Sequence, residues 1–284
     1  MGKPAAMVLG ATGRIGRLMQ LCPPQGMALR LQARTPQAAP AGQPWDWHVF
    51  DPLAEPGALA RATAGAAAVL CLAGPVPGRG AGEMQDHVRL GEAAVRAAAA
   101  AGARVLLASS AAVYGAQSGL LSETAPLRPA NAYGAAKAEM EAQAAALGAA
   151  LGVPVCALRI GNAAGFDAAL GGWRPGFSLD QFPDGRSPRR SYIGVQMLAR
   201  VLGALLQLPE LPPVLNIAQP GAVEMAALLQ AAGRAATPVP APAAAIPEVA
   251  LDTARLQALL PFALAPADPA QMAAEWAALE PHFT

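Results

Sequence analysis

Charge is scarce in this chain. Of 284 residues only 14% are Asp, Glu, Lys or Arg, and 20 basic against 19 acidic side chains leave a net charge of +1. So balanced a chain offers no electrostatic footprint for a polyanion, which argues against nonspecific nucleic-acid binding as the main activity. Cysteine is as sparse: Cys22, Cys71 and Cys156 stand far apart, with no Cys-x-x-Cys pair. That pattern suits reduced, mostly buried thiols and gives no metal site. Although 54% of residues are hydrophobic, no window of about 18 apolar residues runs free of charge or helix breakers, so no membrane span is expected. The opening stretch leads directly into a strand-like segment and lacks the apolar region and cleavage site of a signal peptide. The expectation is a cytoplasmic protein acting on a small molecule. The length suits one large domain, or a domain with a smaller appendage.

What the chain does have is a regular alternation of short apolar runs and helical stretches. Residues 5–9 read as a buried strand that meets Gly10-Ala11-Thr12-Gly13-Arg14-Ile15-Gly16 and then a helix to about Leu21. A strand, a glycine-rich turn and a helix in that order suit phosphate binding. Glycine lets the backbone approach a pyrophosphate, and the helix start offers N–H groups and a positive dipole end. Gly10, Thr12, Gly13, Arg14, Ile15 and Gly16 are therefore cofactor-binding candidates, although the spacing is Gly-x-x-Gly-x-x-Gly and not Gly-x-Gly-x-x-Gly. The next strand, 29–33, ends at Arg34. A basic residue there accommodates a ribose 2′-phosphate where an acidic one would bond the 2′-hydroxyl. Arg34 with Arg14 thus points to NADP over NAD, against the plainer reading of two solvated arginines.

A polar, Pro-rich loop (35–44) leads to a strand at 45–50 and to Asp51, placed to meet an adenine edge. A helix over 56–64, a doubly buried strand over 67–72 and a loop at Ala73 follow, with Ala73 placed to pass the cofactor. A helix over 83–101, a strand over 104–108 and Ser109-Ser110-Ala111-Ala112-Val113-Tyr114-Gly115 come next. Strands alternating with helices predict an α/β, Rossmann-type doubly wound parallel sheet, with ligands beyond the carboxyl ends of the strands. Tyr133 and Lys137 open a long alanine-rich helix over 133–151. Four residues apart, they project from one face. A nearby cation favours the phenolate, which predicts a lowered tyrosine pKa and a group able to exchange a proton with a substrate hydroxyl.

A strand over 153–160 precedes Gly161-Asn162. Residues 166–190 read as loop, 193–208 as a helix, 214–218 as a strand and 223–232 as a helix. A low-complexity Pro/Ala connector (237–247) reads as a linker, followed by short helices over 252–260 and 268–279.

Taken together, Gly10/Gly13/Gly16, Ser110 in its Ser-Ser-Ala-Ala-Val-Tyr-Gly setting, Tyr133/Lys137 and Leu158-Arg159-Ile160-Gly161-Asn162 form one pattern. The chain resembles the extended short-chain dehydrogenases, the NAD(P)-dependent epimerase/dehydratase group typified by UDP-galactose 4-epimerase. The resemblance continues through Arg190-Ser191-Tyr192-Ile193-Gly194-Val195 and Asn216-Ile217-Ala218, and weakens after about residue 233. It implies a dinucleotide-binding domain over 1–160, joined by 192–218, and a smaller substrate lobe drawn mainly from 161–191 and 219–284. It implies Tyr133 as general acid/base, Lys137 lowering its pKa and holding the nicotinamide ribose, and Ser110 polarising the substrate oxygen. Asn162 would face the substrate, and Arg190 would hold a substrate diphosphate. Paired copies of the helices over 83–101 and 133–151 would form a homodimer.

Departures are also visible. His87 stands where the family usually carries Asn, and Gly194 and Met197 replace a usual His and Asp. No second arginine completes a diphosphate clamp. Epimerase, dehydratase and simple reductase all stay open, as does a cofactor-binding sensor or scaffold subunit without turnover.

Overall fold

The computed structural model describes residues 3–37, 45–75 and 83–283. The first half alternates as its apolar runs require: β1 (Ala5–Leu9), α1 (Arg14–Leu21), β2 (Ala28–Ala33), β3 (Asp46–Val49), α2 (Pro56–Thr63), β4 (Ala68–Cys71), α3 (Asp86–Ala101) and β5 (Arg104–Ser110). Then come β6 (Leu120–Leu121), α4 (Ala132–Leu151), β7 (Val155–Ile160), β8 (Asn162–Ala163), β9 (Ser178–Gln181), β10 (Arg189–Ile193) and α5 (Val195–Leu205). The chain finishes with β11 (Val214–Ile217), β12 (Ala222–Glu224), α6 (Met225–Ala231), β13 (Thr237–Pro240), β14 (Glu248–Leu251), α7 (Ala254–Leu259) and α8 (Pro269–Leu279).

The main sheet has seven strands in the order β11-β7-β5-β4-β1-β2-β3. The ladders β3–β2, β2–β1, β1–β4 and β4–β5 are all parallel, with Val8 opposite Leu31 on one side and Leu70 on the other. This is the doubly wound, Rossmann-type α/β arrangement. From β1 the chain moves outward to β2 and β3, then returns to lay β4, β5, β7 and β11 on the opposite side. The strand order therefore reverses at β1/β4, where such sheets open a crevice beyond their carboxyl ends. Every residue of β4 is buried, as a strand covered on both faces demands. Met7, Leu9, Val69, Val105 and Leu107 on one sheet face join Leu59, Val95, Ala98, Met140 and Ala144 from α2, α3 and α4 in a single core.

The chain divides into two compact units: Met1–Ser110 with Asn131–Leu158 and Ala199–Leu215, and Ala111–Ala130 with Arg159–Leu198 and Asn216–Thr284. Residues 111–130, assigned from sequence to the first domain, thus belong with the second unit. Within that unit β6 pairs with β14, and Arg159 donates to the Tyr114 hydroxyl and to the Glu123 carbonyl, both at 3.0 Å. The second unit holds a five-stranded sheet with the path β12-β10-β14-β6 and β8 beside β10, plus the β9/β13 pair.

Three sequence expectations change. The 166–190 stretch is not all loop, since it carries β9 and the start of β10. The 193–208 helix begins only at Val195, because Arg189–Ile193 is strand. The 237–247 connector is no linker. Thr237–Pro240 pairs in parallel with Ser178–Gln181. Pro238 and Pro240 lack an N–H, which a two-stranded ribbon tolerates because one edge of each strand is unpaired. The 35–44 loop lies outside the described residues from position 38 onward. Among the described residues, no helix is long and apolar enough to cross a membrane, and no His/Cys/Asp/Glu group is arranged to hold a metal.

Candidate active site

The glycine turn joins β1 to α1. Gly10 adopts φ +77°, and a Cβ there would stand 2.8 Å from the Ala73 backbone, so the turn and the loop after β4 meet only if residue 10 has no side chain. A Cβ at Gly16 would lie 2.5 Å from the Ala11 backbone. Gly13 caps α1, with no side-chain cap and no acidic residue in the first turn. Thr12 and Gly13 are exposed, while Arg14 and Ile15 are half-buried. The helix start is thus neither filled by a capping oxygen nor opposed by a carboxylate, and the residues present fit the pyrophosphate of a dinucleotide.

Asn131 caps α4, its side chain accepting from the Gly134 N–H at 2.8 Å, and this sets Tyr133 in the first turn. Ser110, the last residue of β5, hydrogen-bonds the Tyr133 phenol. The Lys137 ammonium lies 5.8 Å from the phenol ring centroid and donates to the Ala108 carbonyl at 2.6 Å. One unit therefore brings Ser110, Tyr133 and Lys137 together, with the predicted spacing of four residues placing phenol and ammonium on one helix face.

The electrostatics overturn one expectation. The Tyr133 pKa is raised, not lowered: burial dominates, and the Ser110 hydrogen bond and the Arg14 charge only partly offset it. Lys137 is itself 4% exposed. Burial pulls its pKa down to about 8, while Cys71 and Glu141 act in the opposite direction. Glu141, one helical turn beyond Lys137, is buried and accepts from the Ser109 hydroxyl. Cys71 at the end of β4 is pushed up to about 11 by burial. Desolvation of the phenol outweighs the cations near it.

The other predicted residues are placed as follows. Arg34 follows β2 and is exposed. Asp51 accepts from the Leu53 N–H at 2.8 Å and the Ala54 N–H at 3.2 Å, so one carboxylate oxygen is engaged in the turn before α2. In the second unit, Asn162 hydrogen-bonds the Tyr192 hydroxyl. Arg190 donates to the Arg189, Pro247 and Ile246 carbonyls at 2.7, 3.3 and 2.8 Å. Both polar groups thus have partners within their own unit.

The model of the NAD dependent epimerase/dehydratase family matches residues 6–170, more than half of the chain. The chain belongs to that family. Comparison with curated protein sequences finds no match. Solved structures share the fold. MoeE5 in complex with UDP-glucuronic acid and NAD is 24% identical, with 99% of this chain and 100% of that one covered and a TM-score of 0.77. UDP-glucose-4-epimerase from Stenotrophomonas maltophila, with bound NAD and formylated UDP-arabinopyranose, is 21% identical over both whole chains, with a TM-score of 0.78. UDP-N-acetylglucosamine 4-epimerase from Methanobrevibacter ruminantium M1, in complex with UDP-N-acetylmuramic acid, is 18% identical over the same extent, also at 0.78.

Within this epimerase/dehydratase frame, sequence reasoning missed two residues. Gln32 is 2% exposed. Its Oε1 accepts from the Gly10 N–H at 2.9 Å and its Nε2 donates to the Phe50 carbonyl at 2.7 Å, tying the glycine turn to the residue that follows β3. The available signal was a polar residue inside an otherwise apolar strand. Glu141 was the other, signalled by a carboxylate four residues after Lys137. The Gly194 departure has a local cause. A Cβ there would stand 2.3 Å from Glu275 Oε2, and that same oxygen accepts from the Gln196 N–H at 3.0 Å at the start of α5.

Proposed function

We propose that the chain catalyses nicotinamide-nucleotide-dependent hydride transfer at a secondary alcohol or ketone of a sugar or nucleotide sugar, with Ser110, Tyr133 and Lys137 as its catalytic set. The observation that carries this reading is the Ser110–Tyr133 hydrogen bond with the Lys137 ammonium 5.8 Å from the ring centroid, in the same unit as the Gly10–Gly16 turn. A bound nicotinamide would supply the hydride donor or acceptor. The chain's own residues do the rest. Gly10, Thr12, Gly13, Arg14, Ile15 and Gly16 hold the pyrophosphate, with Ala73 and Asp51 along the cofactor's path. Ser110 orients the substrate oxygen, and Tyr133 takes or returns its proton at the phenol oxygen. Because burial raises the Tyr133 pKa, the phenolate depends on the nearby positive charge, which Lys137 keeps only while protonated. Asn162 and Arg190 are the substrate-facing residues of this reading. Their present hydrogen bonds require Arg190 to exchange a carbonyl for a substrate oxygen.

Arg34, exposed after β2, together with Arg14 supports NADP over NAD. The reading includes a homodimer through α3 and α4, since the exposed positions Ala135, Ala142, Ala145, Ala146 and Ala149 of α4 allow close approach of a second copy. Sedimentation tests it, and a monomeric mass at micromolar concentration contradicts it.

The deciding experiment is Tyr133→Phe. Turnover of sugar nucleotides or ketones should fall by about 100-fold or more, with nucleotide affinity nearly unchanged. Wild-type protein that binds neither NAD nor NADP overturns the reading.

A further inference from the structure

We infer that Gln32 is a positioning residue for the adenine half of the dinucleotide, its buried amide holding the glycine turn and the loop that enters Asp51 at a set separation. The inference rests on the function proposed above.

Gln32 lies in β2, between β1 and β3, and is 2% exposed. The three strands pair through their backbones without help from its side chain. The amide acts just past the strand ends instead. Gly10 is the first residue after β1, and Phe50 is the first after β3. Oε1 accepts from the Gly10 N–H at 2.9 Å, and Nε2 donates to the Phe50 carbonyl at 2.7 Å. The backbone adds to both holds. The Gln32 carbonyl accepts from the Ala11 N–H at 3.2 Å, and the Phe50 N–H donates to the Ala33 carbonyl at 3.0 Å. One side chain therefore bridges, across β2, two segments at the carboxyl ends of the strands, where ligands of such sheets bind.

The chemistry admits few substitutes. A backbone N–H can only donate and a carbonyl can only accept, so the bridge needs an acceptor and a donor on one side chain. A carboxylate of the same length only accepts, and a leucine offers neither group. Each segment leads to a part of the proposed cofactor site. Gly10 opens the turn assigned to the pyrophosphate, and a Cβ there would already stand 2.8 Å from the Ala73 backbone. Phe50, 4% exposed, precedes Asp51, whose carboxylate is engaged in the next turn. A ligand that spans pyrophosphate and adenine thus meets two segments already spaced for it, and binding need not order them.

The test is calorimetric titration of wild type and Gln32→Leu with NADP+, NAD+ and ADP, at a temperature where circular dichroism shows both proteins folded. ADP carries the adenine, ribose and diphosphate common to the two dinucleotides and lacks the nicotinamide riboside. Gln32→Leu should weaken the tighter dinucleotide and ADP by the same factor, about tenfold, because the loss falls wholly in the shared half. Gln32→Glu keeps an acceptor for Gly10 but no donor for Phe50, and it should weaken both as well. A glutamine that served stability alone would lower the melting temperature of its variants and leave both affinities at wild-type values. That result overturns the inference and leaves the proposed function standing. So does a variant that binds the dinucleotide more weakly but ADP like wild type. Wild-type protein that binds no nucleotide removes the proposed function and this inference together. If Gln32→Leu does not fold, Gln32→Glu decides by the same criteria.

Discussion

The two units treat their buried ionisable groups differently. In the second unit most buried polar groups are satisfied, the Trp276 indole N–H excepted. The Tyr192 hydroxyl donates to Asp167 Oδ2 at 2.7 Å, and Asp167 Oδ1 accepts from the Leu170 N–H at 3.1 Å. Arg234 makes two 2.6 Å contacts to the Glu280 carboxylate. Asn216 accepts from the Tyr114 hydroxyl at 2.7 Å and donates to the Leu121 and Asp252 carbonyls. The first unit holds Lys137 as a desolvated ammonium, pushes the His87 pKa down to about 4 by burial and keeps the Tyr133 phenol above its ordinary pKa. Polar groups of the first kind hold a fold together. Groups of the second kind are desolvated and shifted away from their ordinary pKa values, and they mark the candidate site.

The largest expected effect breaks this contrast if it fails. Lys137→Met should lower turnover by about 100-fold or more while leaving thermal stability equal or higher, because it removes a buried charge. A drop in melting temperature comparable to that of a core mutant would show Lys137 to be structural. The mirror experiment is Tyr192→Phe, which strips a hydroxyl from a satisfied pair. It should cost about 1–3 kcal/mol of stability, read by chemical denaturation, with nucleotide affinity unchanged.

A pH series sharpens the comparison further. Lys137 has its pKa lowered from 10.5 to about 8, so between those values the unfolded chain binds more protons than the folded one. Stability should rise with pH across that window, and turnover should fall as the ammonium is lost above about 8. His87, lowered from 6.5 to about 4, contributes stability that is present above 6.5 and lost as pH falls toward 4. Lys137→Met should flatten the alkaline slope and His87→Asn the acid one. The smallest effect belongs to Glu141→Gln. Because Glu141 holds the Lys137 pKa up, the alkaline limb of the activity profile should move below its wild-type position. An unmoved limb would show that Glu141 serves only the Ser109 hydroxyl.

How much of this was legible follows from how local each signal is. The β1 and β4 runs, Ala5–Leu9 and Ala68–Cys71, are short, apolar and bounded by turn residues, so their type and their parallel neighbours could be read directly. The pair Ser178–Gln181 and Thr237–Pro240 could not. It is polar and Pro-bearing, and each strand exists only because its partner lies about sixty residues away. The Tyr133–Lys137 spacing was readable because helical periodicity fixes it. The hold of Gln32 on Gly10, 22 residues away, was not.

By itself the sequence determined the order of glycine turn, serine strand end and Tyr-x-x-x-Lys helix, because each is a short-range pattern whose geometry the backbone imposes. Only the tertiary structure decided the sense of the electrostatics: a raised Tyr133, a lowered Lys137 and a lowered His87. Those depend on how completely water is excluded, and that is set by side chains distant in sequence which pack around the site.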